Sequence, residues 1–387
     1  MINYNLSEDQ KAFQEAAQVF AENELAPHAA EWDVKKYFPK DVIRKAAEMG
    51  FCGAYIKDDV GGMNLGRLDS AIIFEELAAG CTSTTTYITI HNMVTWMIDS
   101  FGQEEVRQEF CPSMVTAEKL GSYCLTEPNS GSDAASLKTR AEKDGDDYLL
   151  TGSKAFVSGG GETDVLVVMA RTGDDTPKGI SSFVIPTTEK GISYGENEKK
   201  MGWNSQPTRV INLDGVRIPA RYRLGEEGDG FKIAMKGLDG GRINIATCSV
   251  GTAQAALNAT HQYMHERKQF GKTLAKFQAL QFKMADQVTH LVAARQMVRL
   301  AAYKLDQNDP QKTAFCAMAK RFATDVGFEV CNEAMQIFGG YGYTQEYPLE
   351  RHMRDNRVHQ ILEGTNEIMR VIISRKFLEE NGKEELR

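Results

Sequence analysis

Glu363 stands in the stretch Arg357-Val-His-Gln-Ile-Leu-Glu363-Gly-Thr-Asn-Glu-Ile-Met-Arg370, with apolar residues on both sides and a glycine directly after it. A carboxylate held at such a corner loses part of its hydration, which raises its proton affinity and suits it to act as a general base near neutral pH. Behind it, Thr365 or Asn366 can cap a new helix, and Glu367 adds negative charge to a first turn that favours it. Ile368, Val371, Ile372 and Leu378 mark one face of that helix. The plainer reading of a lone Glu before Gly is a solvated turn residue, so other stretches must decide between the two.

Four more groups of residues have types and spacings that suit a polar, flat or phosphorylated ligand. Tyr123-Cys-Leu-Thr-Glu-Pro-Asn-Ser-Gly-Ser132-Asp is an irregular loop in which backbone N–H groups and the hydroxyls of Thr126 and Ser132 can meet a polar ligand; alone it is equally an ordinary surface loop. In Phe156-Val-Ser158, an aromatic and a hydroxyl two residues apart fall on one side of a strand, one to stack on a ring and one to bond its edge. Phe156 is otherwise a core residue, and Gly159-Gly-Gly161 a turn. Arg267, in Glu266-Arg267-Lys-Gln-Phe270-Gly271, can fork onto a pyrophosphate or simply complement a helix C-terminus. Gln336-Ile-Phe-Gly339-Gly340-Tyr-Gly342 ends a helix with three glycines in four positions, so a ligand can approach closely. Gly271-Lys272-Thr273 lacks the earlier glycine and the preceding strand of a P-loop, and no GxGxxG follows a strand.

The elements that must position these groups change character twice along the 387 residues, a length that predicts two or three domains. Ser7-Glu-Asp-Gln10 is a capping box before a helix striped by Phe13, Ala17, Phe20 and Leu25 and ended by Pro27. Helices follow from Pro39 to Gly50, from about Asp69 to Ala79 and from about Thr85 to Asp99, giving an N-terminal α-helical domain over 1–120. Short β-type runs then appear at Tyr148-Leu-Leu-Thr-Gly, Val165-Leu-Val-Val-Met, Ser182-Phe-Val-Ile and Arg209-Val-Ile-Asn-Leu, with a hairpin signal at Asp144-Gly145. They predict a small all-β domain over 121–230. From 231 to 387 the helices return: Phe231 to Lys268 with a bend near Gly240-Gly241, Phe277 to Gln307, a third from Pro310 to Phe338, and the helix behind Glu363. Four is the count of an antiparallel bundle. The fold class expected is mostly α with a central β domain.

A net charge of −8 without a long basic run argues against nucleic acid, and no apolar run approaches the span of a bilayer. Met1-Ile-Asn-Tyr lacks the features of a signal or transit peptide, which suits a cytoplasmic protein of a bacterium, or a mitochondrial matrix chain already processed. Seven cysteines without a CxxC make a disulfide framework improbable, and the seven histidines include no HExxH, so no metal site is expected.

Taken in order, Thr126-Glu-Pro128, Phe156-Val-Ser158, Arg267-Lys-Gln-Phe270, Gln336 to Gly340 and Glu363-Gly-Thr resemble the motifs of the acyl-CoA dehydrogenases, over nearly the whole chain. The resemblance implies FAD as cofactor, lined by Tyr123, Leu125, Thr126, Gly131, Ser132, Phe156, Val157 and Ser158, with Ser158 near the flavin N5 edge. It also implies FAD contacts from Arg267, Phe270, Phe277, Gln278, Gln336, Ile337, Gly339 and Gly340, some of them from a neighbouring subunit, and from Thr365, Asn366 and Glu367. The acyl-CoA thioester would meet Ser132, Asp239, Gly240, Gly241, Arg242, Gly364 and Arg375, and Glu363 would be the base. Some family members carry the base on the helix near Leu238, where this chain has Gly241. Asn129 departs from a glycine common in the family. Gly152 to Phe156, Lys199 to Thr208 and Gly240 to Ile245 are similar to members acting on short branched esters such as isobutyryl-CoA. A homotetramer and reoxidation by an electron transfer flavoprotein are implied as well, the alternatives being a dehydrogenase of another short-chain acyl-CoA such as 2-methylbutyryl- or butyryl-CoA, an oxygen-using flavin oxidase or monooxygenase on the same fold, and a non-catalytic acyl-CoA carrier or assembly factor.

Overall fold

The computed structural model describes residues 5–386, so the leader reading of the first four residues lies outside it. Helix α1 (Glu8–Phe20) starts as its capping box dictates: Gln10 N donates to Ser7 Oγ, and Ser7 N to Gln10 Oε1, each at 3.1 Å. A π-helical turn, Ala21–Leu25, carries it towards Pro27. Then come α2 (Ala29–Lys35), α3 (Lys40–Glu48), α4 (Arg67–Gly80), α5 (Thr82–Phe101) and α6 (Glu104–Val115). The sequence patterns give neither α2, which has only seven residues, nor α6, which has Pro112 inside it. Helix α5 is buried on nearly every side although rich in Thr. Several of its hydroxyls turn back on its own carbonyls, Thr89 Oγ1 to Thr86 O at 2.8 Å and Thr95 Oγ1 to His91 O at 2.9 Å, and so enter the core satisfied, whereas those of Ser83 and Thr85 are buried without a partner.

The middle segment is one sheet of eight strands: β1 (Gly121–Cys124), β2 (Arg140–Asp144), β3 (Asp147–Ser158), β4 (Val165–Arg171), β5 (Ile180–Pro186), β6 (Ile192–Tyr194), β7 (Thr208–Pro219) and β8 (Arg223–Leu224). The order is β6-β7-β3-β2-β4-β5-β8, with β1 parallel to β4. The turn read at Asp144-Gly145 joins β2 to β3, with Asp144 paired to Asp147 and Gly145 at φ +63°. One continuous apolar core joins the sheet to the N-terminal helices, with Ile88 and Val94 of α5 in the same cluster as Val167 of β4 and Phe183 of β5.

Past the sheet lie α7 (Gly230–Glu266), α8 (Gln278–Asp306), α9 (Lys312–Phe338), α10 (Leu349–Arg357), α11 (Asn366–Phe377) and α12 (Gly382–Glu385). Helix α7 runs unbroken through Gly240 and Gly241. A second core, built largely of Ala, Val and Leu, joins α7, α8 and α9. Helix α11 packs on α9, and α10, which the patterns do not reveal, packs on α9 and α7. The apolar face assigned to α11 is only partly covered: Ile368 and Ile372 are half-buried, Val371 is 38% and Leu378 79% exposed, and the buried residues of the helix are Asn366 and Met369. The helix turns its polar first residue towards α9, so the Val371 side faces outward.

Candidate active site

Glu363 follows a 3₁₀ turn, Val358–Gln360, and precedes α11, whose N-cap Thr365 accepts from Ile368 N at 3.3 Å. The chain reverses here through two left-handed residues, Glu363 at φ +55° and Gly364 at φ +85°. Gly364 adopts that conformation freely, whereas Glu363 does so at a cost that surrounding contacts must offset. The result aims the carboxylate inward. Its Oε2 is buried with no hydrogen-bond partner. Burial lifts its proton affinity to a pKa of about 7, against the opposing pull of the Arg242 and Lys320 charges.

Opposite lies α7 at its glycine pair. A Cβ on Gly241 would stand 2.5 Å from Glu363 Oε2, so the absence of a side chain there is what admits the carboxylate. The next residue, buried Arg242, donates from Nη1 to Asp239 Oδ1 at 2.8 Å, while Asp239 Oδ2 accepts from Thr313 Oγ1 at 2.7 Å. Arg242 Nε has no partner, and neither has the buried phenol of Tyr123, which burial and then the Glu363 charge keep firmly protonated. Tyr123, Arg242 and Glu363 all act on one another electrostatically. Three buried polar atoms left unsatisfied in one neighbourhood are costly unless a polar ligand completes them.

The loop after Tyr123 is fixed from inside the sheet. Lys154 Nζ donates to Glu127 Oε1 at 2.8 Å and Leu125 O at 3.2 Å, and Glu127 also accepts from Lys138 N at 2.6 Å and Thr139 N at 2.9 Å. Thr126 is thereby left half-buried, and Gly131 and Ser132 exposed, on the outer side of the loop. Asn129 has no left-handed backbone, so the turn accommodates its side chain. The register with β7 shifts between Lys154 and Val157, and this bulge puts Phe156 at φ +55° with its ring 68% exposed. Val157 is buried, and Ser158 remains half-buried beside it.

The remaining candidates form a separate group around the α7–α8 connection. There β9 (Lys268–Gln269) and β10 (Lys272–Thr273) make a small hairpin with Phe270 and Gly271 at its left-handed tip. Phe270 is 93% exposed and meets Phe277 edge-on, while Arg267 lies over Tyr341, next to Gly339 and Gly340. Gln278 and Gln336 are exposed and Ile337 is buried. Beside Gly131, Gly339 and Gly340 an added Cβ would touch nothing, so open space borders these loops. Arg375 is exposed in the last turn of α11 with no partner among the described residues. Asn366 is buried and its amide is used within the chain, by Lys320, Thr324 and Asp325; Glu367 is exposed.

Three neighbours of the site have roles the sequence patterns do not give. Lys320 bonds Gly364 O, and its only sequence signal is a lysine inside the apolar run Ala-Phe-Cys-Ala-Met-Ala-Lys320. Arg67, buried against Gly240, stacks 3.5 Å from the ring centre of Tyr55, and Tyr55 accepts from Asn244 Nδ2 at 3.2 Å. Nothing in the local sequence marks that pair.

The chain matches the acyl-CoA dehydrogenase N-terminal domain over residues 7–118, the middle domain over 122–216 and the C-terminal domain over 228–378. The mitochondrial isobutyryl-CoA dehydrogenase of Bos taurus is 56% identical over 97% of this chain and 90% of that protein. The corresponding protein of Dictyostelium discoideum is 53% identical over 96% of this chain and 90% of its own length. Among solved structures, the butyryl-CoA dehydrogenase of Megasphaera elsdenii superposes with a TM-score of 0.94 at 40% identity, over 97% of this chain and 100% of that one.

Proposed function

Because the chain belongs to the acyl-CoA dehydrogenase family, we propose that it oxidises the C2–C3 bond of a short branched acyl-CoA, isobutyryl-CoA giving methacrylyl-CoA, with FAD as cofactor. The observation that carries this reading is the Glu363 carboxylate: buried, unpartnered, facing a side-chain-free stretch of α7, and poised near neutrality. The branched substrate is supported by the two isobutyryl-CoA dehydrogenases above 50% identity.

FAD suits the residues present. The open loop at Gly131, the exposed ring of Phe156 and the polar edge offered by Thr126 and Ser158 supply mixed flat and hydrogen-bonding surfaces for it, and the open loop at Gly339 and Gly340 belongs to the second group of candidates. Bound there, the flavin supplies the acceptor for the hydride that leaves C3.

The chain's own residues handle the proton and the charge. Glu363 takes a proton from C2, a step that a carboxylate accomplishes only if the thioester oxygen is stabilised as charge develops on it. The backbone N–H of Glu363 makes no hydrogen bond among the described residues and is available for that oxygen. A donor so placed is worth roughly 3 kcal/mol. Arg242, anchored by Asp239, adds positive potential nearby, and the apolar wall of Met93 behind Gly241 keeps water from the carboxylate.

The candidate cofactor residues fall into two groups, and the second, from Arg267 to Gly340, shares no contact with Glu363. A homotetramer in which one copy completes the flavin site of another accounts for this. The exposed apolar side chains Phe282, Val288 and Val292 on α8 support it. An electron transfer flavoprotein is the partner expected to receive the electrons. The test is anaerobic mixing of FAD-loaded protein with isobutyryl, 2-methylbutyryl, butyryl, isovaleryl and glutaryl CoA esters. Isobutyryl-CoA should bleach the flavin fastest; no bleaching by any ester would refute the assignment.

A further inference from the structure

The group that must aim at the substrate is not itself held. The Glu363 carboxylate makes no hydrogen bond among the described residues, so its direction depends on the main chain that carries it. That main chain is left-handed at two successive positions, a conformation a glutamate keeps only where its surroundings impose it.

The imposing contacts come from one face of α9. Lys320 Nζ donates to Gly364 O at 2.8 Å and to Asn366 Oδ1 at 2.9 Å. Asn366 Nδ2 donates in turn to Thr324 Oγ1 at 3.0 Å and Asp325 Oδ1 at 2.7 Å, and Gln360 Nε2 reaches the same Asp325 oxygen at 2.8 Å. The turn is therefore gripped before and after Glu363. Lys320 is fully buried on α9, where an ammonium is expensive. Burial draws its pKa down to about 7, and the Glu363 charge is the largest influence holding its proton on. A carbonyl needs only some donor; a lysine kept at this cost beside an unpartnered carboxylate is doing more than satisfying one.

We propose that Lys320 is the positioning residue of the Glu363 base: it locks the left-handed turn that aims the carboxylate and sets a cation beside it. This rests on Glu363 being the base. The groups facing that carboxylate are Arg242 from α7, Lys320 from α9, and the neutral phenols of Tyr123 from β1 and Tyr55 from the segment between α3 and α4. Lys320 is a cation below its pKa of about 7, and removing it leaves Arg242 as the one cation among them in that range. The carboxylate then holds its proton more tightly, and the rising limb of the pH–rate profile moves to higher pH.

The test uses the FAD-loaded protein and its variants Lys320→Met and Lys320→Arg, with flavin reduction by isobutyryl-CoA followed under anaerobic rapid mixing from pH 6 to pH 9. Lys320→Met should reduce the flavin about 100-fold more slowly at saturating substrate, as a small misplacement of a reacting group does. Its substrate Kd should stay within about threefold and its rising limb should shift upward. Lys320→Arg should recover the rate to within about tenfold and restore the limb. A Lys320→Met protein matching wild type in rate and pH limb overturns the proposal, as does a crystal structure of that variant with Glu363 still left-handed and facing Gly241. If Lys320→Met does not fold, Asn366→Ala, which removes the anchor but keeps the cation, should slow reduction without moving the limb; an unchanged rate there overturns the proposal. Wild-type protein that no ester bleaches refutes the base assignment and this proposal with it, whereas a bleached wild type beside an unaltered Lys320→Met refutes the role of Lys320 alone.

Discussion

Burying Glu363 without a partner costs the folded protein stability whenever that carboxyl is ionised. Its folded pKa, about 7, is raised above the ordinary 4.5 by burial. A raised acid favours the folded state only while it is protonated, so the cost is absent below about pH 4.5 and complete above about pH 7. It is on the order of 2 kcal/mol after discounting for the residue's remaining contact with solvent. Glu363→Gln, which never ionises, should therefore melt higher than wild type at pH 8, with the gap closing towards pH 5. A gap that does not change with pH would mean that the carboxyl titrates normally. The sequence makes this residue legible because a glycine follows it and apolar residues flank it. It leaves Lys320, Tyr55 and Arg67 dark, since their meaning comes from the element each packs against. Phe156 was legible as a candidate ligand contact but not as a bulged residue, because the register shift shows only in the pairing of β3 with β7.

Among elements, the loop from Tyr123 to Ser132 depends most on a buried ion pair. Lys154 and Glu127 are both withdrawn from water, and Glu127 also ties the start of the next segment through two backbone N–H groups. Lys154→Met removes one partner and leaves a buried carboxylate, a change that costs roughly 3 to 5 kcal/mol in such settings. The variant should melt well below wild type and hold FAD more weakly, read by thermal denaturation and by flavin content after gel filtration. Wild-type stability and full flavin content would show that the pair does not brace the loop. Strands β3, β4, β5 and β7 were readable from their apolar runs. By contrast, β2 buries only Ala141 among charged residues, and β6 and β8 have three and two residues, too few for any period to show. On α11 the predicted apolar face is only half covered, Ile368 and Ile372 being half-buried while Val371 and Leu378 are exposed, because periodicity reports a face without saying what covers it.

At the scale of the whole molecule, the N-terminal helices and the sheet share one core, so the three segments read from the sequence form a single body in which α9 and α7 close around the turn at Glu363. The order α, β, α was legible because hydrophobic period changes twice; the joining of the first two segments was not, since shared burial leaves no local mark. The side chains Val288 and Val292, one turn apart on α8, remain exposed on this body. Replacing both with Glu should yield smaller particles by light scattering, with reduced flavin content, if a neighbouring copy completes the site. Unchanged mass would place the interface elsewhere. The most direct measurement of the chemistry compares FAD-loaded wild type and Glu363→Gln mixed with isobutyryl-CoA without oxygen, following the loss of yellow colour. Wild type should bleach rapidly while Glu363→Gln binds substrate and stays yellow; rapid bleaching of Glu363→Gln would contradict the role of this carboxylate as the base.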